Sequence, residues 1–292
     1  MIHNNLGHTG LKVSALGFGA MHINDERTSE AEAGALLNHV LDQGINLIDT
    51  ARGYGLSEER IGRHIAHRRA EFVLSTKVGY GVEGVPDWTY DCIVQGVERA
   101  LRLMQTDWLD IVHLHSCPLH VLQQGDVARA LNDCRTAGKL RVAAYSGDNA
   151  EIDFAISSGA FGSLQTSVSL CDQAHLQHRA ARADHAGIGI IAKRPLAGAV
   201  WRHAGRPDDF AEGQYWDRFR AMGLTAQEDW ADVALRFAAF HTGVASAIVG
   251  TAKPANLRRN LDAITRGPLP AELVVAIRAA FDQRGDAWAG LI

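Results

Sequence analysis

The feature that most constrains the fold is a repeated alternation along the chain. Short apolar, β-branched runs recur at 12–19 (KVSALGFG), 45–51 (INLIDTA), 72–78 (FVLSTKV), 110–116 (DIVHLHS), 141–146 (RVAAYS), 163–169 (SLQTSVS), 187–193 (GIGIIAK) and 246–250 (SAIVG). Between them lie longer stretches of helical character, such as SEAEAGALLNHVLDQG (29–44) and YDCIVQGVERALRLMQ (90–105). Ser29 is a natural N-cap, and Gly44 stands where a helix closes on a left-handed residue. Eight strands alternating with helices predict a (β/α)8 TIM barrel, an α/β fold. Continuous apolar strands fit a parallel sheet covered on both faces. No low-complexity linker or charge block divides the chain, so 1–292 reads as one barrel domain. One segment breaks the rhythm. AGRPDDFAEGQYWDRFRAMG (204–223) is polar and carries Pro and Gly, and predicts either a lid or binding loop, or a short extra surface helix.

Composition narrows the function classes. Hydrophobic residues make up 47% and charged residues 21%, enough for a large core, and a formal net charge of −4 argues against nucleic acid or an anionic membrane as a general partner. Cys92, Cys117, Cys134 and Cys171 form no CxxC pair and read as reduced thiols. The N-terminus has neither a basic region nor an apolar core, and no run approaches the roughly 20 apolar residues of a membrane span. Cytoplasmic location is the expectation.

In a (β/α)8 barrel the chemistry sits at the C-terminal ends of the strands. Those ends carry Asp49 and, just beyond it, Tyr54; Lys77; His115; Ser146 and Asp148; Gln165; Lys193 and Arg194; and Gly250 onward. A carboxylate, a phenol, an ammonium and an imidazole at one mouth suggest proton donation. A lysine cation favours the charged form of a nearby phenol, a carboxylate keeps the lysine charged, and a neutral histidine orients a carbonyl oxygen. Gly53 and Gly55 frame Tyr54 and are expected to let the chain turn it into the mouth. Such a site lacks a hydride source, which a cofactor must supply. Metal chemistry is the weaker reading. His113 and His115 share a strand face, and His175 and His178 stand three apart, but neither pair has a third ligand at zinc spacing. His113 is expected deeper in the barrel. GYGVEG (79–84) and GIGIIA (187–192) match dinucleotide glycine patterns, but the first runs into VPDW rather than a helix and the second lies inside a strand.

LGHTGLKVSALGFGAM, NLIDTARGYG, VLSTKVGY, DIVHLHSCP and AIVGTAKPANLRRN, in this order over about residues 6–262, together resemble the aldo-keto reductases. The resemblance implies a catalytic tetrad of Asp49, Tyr54, Lys77 and His115. It also implies a nicotinamide cofactor, NADPH with NADH as the alternative, and hydride transfer to an aldehyde or ketone with Tyr54 as general acid. The cofactor surface it implies comprises Gly19, Met21, Ser146, Asp148, Gln165, Lys193, Arg194, Pro195, Leu196, Gly250, Thr251, Lys253, Asn256, Arg259 and Asn260. Three places depart from the family pattern. After the fifth strand the family asparagine is replaced in Ser146-Gly147-Asp148, so Asp148 or Asn149 is expected to take its contact. Lys193-Arg194-Pro195-Leu196 lacks the usual aromatic, and Arg194 is the candidate to stack in its place. Gly250 and Asn256 replace two cations around the cofactor 2′-phosphate, which Lys253, Arg258 and Arg259 are placed to replace. Trp88 and Ser116 are the principal substrate candidates, followed by Met21, Arg52, Cys117, Trp201, Tyr215 and Trp216. The implied partner is a small carbonyl compound, bulky or sugar-like, with no nucleic acid or membrane and a monomeric or weakly homo-oligomeric state. The rival readings are an NAD(P)+-dependent sugar or polyol dehydrogenase on the same site, a cofactor-binding redox-sensing regulator, and a Schiff-base aldolase using Lys77.

Overall fold

The computed structural model describes residues 1–174, 179–224, 229–284 and 288–291. Eight parallel strands close into a barrel: β3 (Leu16–Gly19), β4 (Leu47–Asp49), β5 (Val73–Val78), β6 (Leu109–His115), β7 (Leu140–Ser146), β8 (Ser163–Ser167), β9 (Gly189–Lys193) and β10 (Val244–Val249), the last pairing with β3. Helices between successive strands wrap the outside. The barrel is therefore the (β/α)8 fold that the alternation predicts.

The first apolar run is divided. Lys12–Ser14 forms β2, which pairs antiparallel with β1 (His3–Asn5), and only Leu16–Gly19 enters the barrel. The physical reason is the floor of the barrel. Leu6, Leu11 and Val13 from this hairpin pack with Leu47, Val73, Ile111, Val142 and Ile191, which sit near the N-terminal ends of their strands. The hairpin plugs the end opposite the strand tips.

Strand periodicity sets the rest of the interior. On β5 the same face carries Val73, Ser75 and Lys77; on β6 it carries Ile111, His113 and His115; on β4, Leu47 and Asp49. The interior is thus apolar at the floor, small and polar in the middle, and charged at the mouth. The opposite faces, with Ile48, Leu74, Val112, Leu114 and Ile190, pack in the large cluster beneath the helices.

The helices carry their own signals. Ser29 caps the Glu30–Asp42 helix in a full capping box with Glu32, and Thr89 caps Tyr90–Leu103. The irregular segment 204–223 contains a helix at Phe210–Met222, begun by Asp209, whose side chain accepts from the Glu212 amide. Its Tyr215, Phe219 and Met222 are buried in a second core cluster with Val233, Phe237, Ile277 and Leu291. The segment is a built-in packing element, and one side of it reaches the barrel mouth. Among the described residues no helix is long and apolar enough to cross a membrane.

Candidate active site

β4 ends in Asp49, which is buried and central to the mouth. Its Oδ2 accepts from Lys77 Nζ at 2.6 Å, and its Oδ1 accepts from Ser75 Oγ and from Gln165 Nε2, both at 2.8 Å. Lys77 also donates to the Thr50 carbonyl at 2.7 Å. Burial works against a charged lysine, but the Asp49 carboxylate and the adjoining Tyr54 outweigh it and raise the pKa of Lys77. Lys77 therefore stays an ammonium. Its Nζ lies 5.0 Å from the centroid of the Tyr54 ring.

Tyr54 stands on the short loop that follows β4. Gly55 is required there by conformation and by space. Its φ is +42°, and a Cβ would lie 2.3 Å from the Asn24 carbonyl oxygen. Gly53 is required for a different reason than the turn the sequence suggests: its φ is not positive, but a Cβ there would lie 2.9 Å from Tyr80 Oη. Tyr54 and His115 meet edge to face, with ring centroids 6.1 Å apart.

His115 ends β6. Burial, and secondly the charge of Lys77, push its pKa down to about 3, so the ring is neutral. His113, one interior layer down, is fully buried and is pushed to about 4, chiefly by burial. Its Nδ1 lies 3.4 Å from Ser75 Oγ and 3.3 Å from the Thr76 carbonyl oxygen. Among the described residues no three His, Cys, Asp or Glu side chains converge as a metal site would require. His175 and His178 lie outside the described residues.

A cavity of about 530 Å³ opens at the mouth. Asp49, Tyr54 and His115 line it; Lys77 sits behind them. Around them stand Gly19, Met21, Ser116, Ser146, Gln165, Lys193, Arg194, Pro195, Leu196 and Gly250. A smaller outer cavity of about 100 Å³ adjoins it through Leu196, Ala199, Val249 and Gly250, and is lined further by Trp201, Arg202, Asp229, Thr251, Asn256, Arg259 and Asn260. Gly250 belongs to both, and a Cβ there would lie 2.6 Å from the His22 ring. The Pro254–Thr265 helix begins beside Thr251, whose Oγ1 accepts from the Lys253 amide at 3.0 Å; Pro254 brings no N–H, and the Asn256 amide donates to the Lys253 carbonyl.

Several expected site residues lie elsewhere. Asp148 lines neither cavity. Its carboxylate accepts from Thr166 Oγ1 and the Ser167 amide and oxygen, and pairs with Lys193 Nζ at 2.9 Å. Asn149 exchanges two hydrogen bonds with the Gly290 backbone. The pair that was to replace the family asparagine is thus engaged with protein, and what reaches the cavity is the Lys193 that Asp148 holds. Arg194, with φ +54°, does line the cavity, and its Nη1 donates to the Leu291 carbonyl at 2.5 Å. Lys253 and Arg258 are exposed, and neither lines a cavity. Trp88 lies against Gly79 and meets Tyr80 edge on, outside the cavity lining. Arg52 and Cys117 also lie outside the lining. Tyr215 is buried in the second core cluster, and Trp216 Nε1 donates to the His203 carbonyl. The sequence reading missed His22, Gly198, Glu212 and Ile248 in the lining. Glu212 is on the Phe210–Met222 helix, and its neighbour Gly198 belongs to a strained run in which Ala197, Gly198 and Ala199 all have positive φ. No motif at His22, Gly198 or Glu212 signals a site, and Ile248 lies inside AIVGTAKPANLRRN without a role of its own.

The closed parallel barrel gathers a buried ion pair, a phenol and a neutral imidazole at its C-terminal mouth. The chain belongs to the Aldo/keto reductase family, whose sequence profile matches residues 15–282. It is 26% identical over 278 residues to L-galactose dehydrogenase of Arabidopsis thaliana, covering 89% of this chain and 87% of that protein. A probable voltage-gated potassium channel subunit beta, also of Arabidopsis thaliana, is 35% identical over 122 residues, 39% of this chain and 37% of that protein. Among solved structures, the holo form of aldo-keto reductase AKR11C1 from Bacillus halodurans superposes with a TM-score of 0.84 at 25% identity, covering 96% of each chain. Enzymes of this family generally use nicotinamide cofactors. The two adjoining cavities and the glycine at their junction form a continuous cradle of a shape that fits a dinucleotide.

Proposed function

We propose that the protein is an NAD(P)H-dependent reductase of aldehydes and ketones, yielding alcohols, with Tyr54 as general acid. The observation that supports this best is the buried Lys77–Asp49 pair directly behind a cavity-lining Tyr54, with neutral His115 beside it. A bound nicotinamide dinucleotide supplies the hydride. Ser146, Gln165 and Lys193 would hold its nicotinamide end, Arg194 to Leu196 and Gly250 would flank its middle, and Thr251, Asn256, Arg259 and Asn260 would hold its adenosine end. Tyr54 gives its proton to the substrate oxygen as negative charge develops there. The Lys77 ammonium stabilises the charge left on the phenol, and Asp49 keeps Lys77 charged and in place. His115 donates a hydrogen bond that orients the carbonyl.

NADPH is the preferred form and NADH is also accepted. Arg202 and Arg259 line the outer cavity and favour an added phosphate, while Asp229, 2.5 Å from Arg259, offsets part of that charge. The setting is cytoplasmic. The substrate is a small carbonyl compound, and the protein acts as a monomer or weak homo-oligomer without nucleic acid or membrane partners.

Tyr54→Phe removes the proton donor and leaves the ring. We expect turnover to fall by about 100-fold or more, with dinucleotide affinity nearly unchanged in a fluorescence titration. Retained turnover overturns the assignment. Similarity to L-galactose dehydrogenase supports a second reading, in which the same site oxidises a sugar or polyol with NAD(P)+. Initial rates in both directions, with both cofactors, over aldehydes, ketones, sugars and polyols separate the two.

A further inference from the structure

We propose that Tyr80 is a positioning residue that fixes the tautomer of His115, placing the ring proton on Nε2 so that it faces the substrate. The inference rests on the proposed reading of His115 as the group that meets the carbonyl oxygen.

Tyr80 lies three residues beyond Lys77, in the loop after β5, as the last residue of VLSTKVGY, a stretch whose resemblance gives it no role. Its Oη is 2.8 Å from His115 Nδ1, and the two rings stack with centroids 5.6 Å apart at 26°. Trp88 closes on the other side of Tyr80, edge to face at 6.0 Å. Trp88 holds a backbone φ of +60°, and its ring occupies the space of a Cβ at Gly79, 2.1 Å away. Gly53 keeps the phenolic end clear. The phenol is therefore clamped on three sides with its oxygen on Nδ1.

A neutral imidazole carries one N–H and one bare nitrogen. His115 is neutral, so the contact with Tyr80 has two possible polarities. In one, Nδ1 carries the proton and donates to Tyr80. Nε2 then presents a lone pair to the cavity, where it would oppose the lone pairs of a carbonyl oxygen. The Tyr80 hydroxyl proton would also have no acceptor among the described residues, since His115 is the only partner of that oxygen. In the other, Tyr80 donates to Nδ1. Its proton is then satisfied, the ring proton sits on Nε2, and Nε2–H is free to donate. Burial raises the pKa of Tyr80, which keeps its hydroxyl proton in place. The second polarity satisfies every group and produces a donor; the first does neither.

The test reads the ring directly. In the full-length protein labelled with 15N, without cofactor or substrate, His115 is assigned by its loss in His115→Gln. Wild type should show a bare Nδ1 and a protonated Nε2. Tyr80→Phe should lose this fixed pattern and give exchange-averaged ring signals. Its turnover should fall by about tenfold, as loss of one oriented hydrogen bond would produce, with dinucleotide affinity unchanged. Gly53→Ala puts a methyl against Tyr80 Oη and should shift the His115 signals in the same direction with the phenol still present, which covers a Tyr80→Phe chain that folds poorly. A proton on Nδ1 in wild type overturns the proposal, as does a His115 pattern indifferent to both variants. The ring signals need no turnover, so the tautomer assignment can fail while Tyr54→Phe still cuts reduction about 100-fold. If Tyr54→Phe retains activity, the proposed function fails instead.

Discussion

At the scale of single residues, the buried Asp49–Lys77 pair decides the character of the mouth. Asp49 accepts three hydrogen bonds from protein side chains and is nearly inaccessible, so its charge is matched only by Lys77. Asp49→Asn keeps the shape and leaves a buried ammonium without a counter-charge. Urea unfolding should show a loss of about 3–5 kcal/mol, with turnover falling as well. An unchanged midpoint would mean that Lys77 simply loses its charge. The pair was legible in the sequence because both residues stand at the C-terminal ends of neighbouring barrel strands. Tyr80 was not, because its role depends on a loop that returns to β6 from outside the strand pattern. Gly53 shows the same limit from the other side. Its presence beside Tyr54 suggested a turn, whereas the space it leaves is for a ring 27 positions along the chain.

At the scale of elements, the Phe210–Met222 helix shows how packing can hide a pattern. Its inward positions include Gly213 and Arg218 along with Tyr215, Phe219 and Met222, so no clean apolar stripe appears. Arg218 is tolerated inside because it donates to the Cys171 and Ala289 carbonyls and lies over the Trp288 ring. Phe219 is the hinge between this helix and the outer cavity: its ring meets Trp230 at 5.1 Å and Trp201 at 6.0 Å, and Trp201 lines that cavity. Phe219→Ala should cost about 3–5 kcal/mol and weaken dinucleotide binding, measured by thermal unfolding with and without the cofactor. A destabilised chain with unchanged affinity would make the helix purely structural. The end of the chain works similarly. Residues 289–291 bond to Arg218, Asn149, Ser167, Asp172 and Arg194, contacts that join positions more than 70 residues apart and carry no local signature.

At the scale of the whole molecule, the barrel's interior couples stability to pH. His113 is buried inside the barrel and stays neutral down to about pH 4, whereas in an unfolded chain it takes a proton near 6.5. A folded pKa below the unfolded one means its contribution is intact above about pH 6.5 and is lost as pH falls toward 4. His113→Asn should therefore lose less stability than wild type between pH 6.5 and 4.5, the gap closing by at most about 1.4 kcal/mol per pH unit. Parallel pH dependences would place the His113 proton elsewhere. What the sequence determined by itself was the architecture and the four residues at the strand ends. Strand alternation and barrel topology are local rules repeated eight times, and they carry Asp49, Lys77 and His115 to one mouth automatically. What only the tertiary structure decided was the environment of those residues. It set Gln165 on Asp49 across the barrel, Asp148 beneath Lys193, the chain end on Arg194 and Tyr80 on His115. These contacts depend on where separate loops and elements come to rest against each other, and no period or short motif encodes such distances.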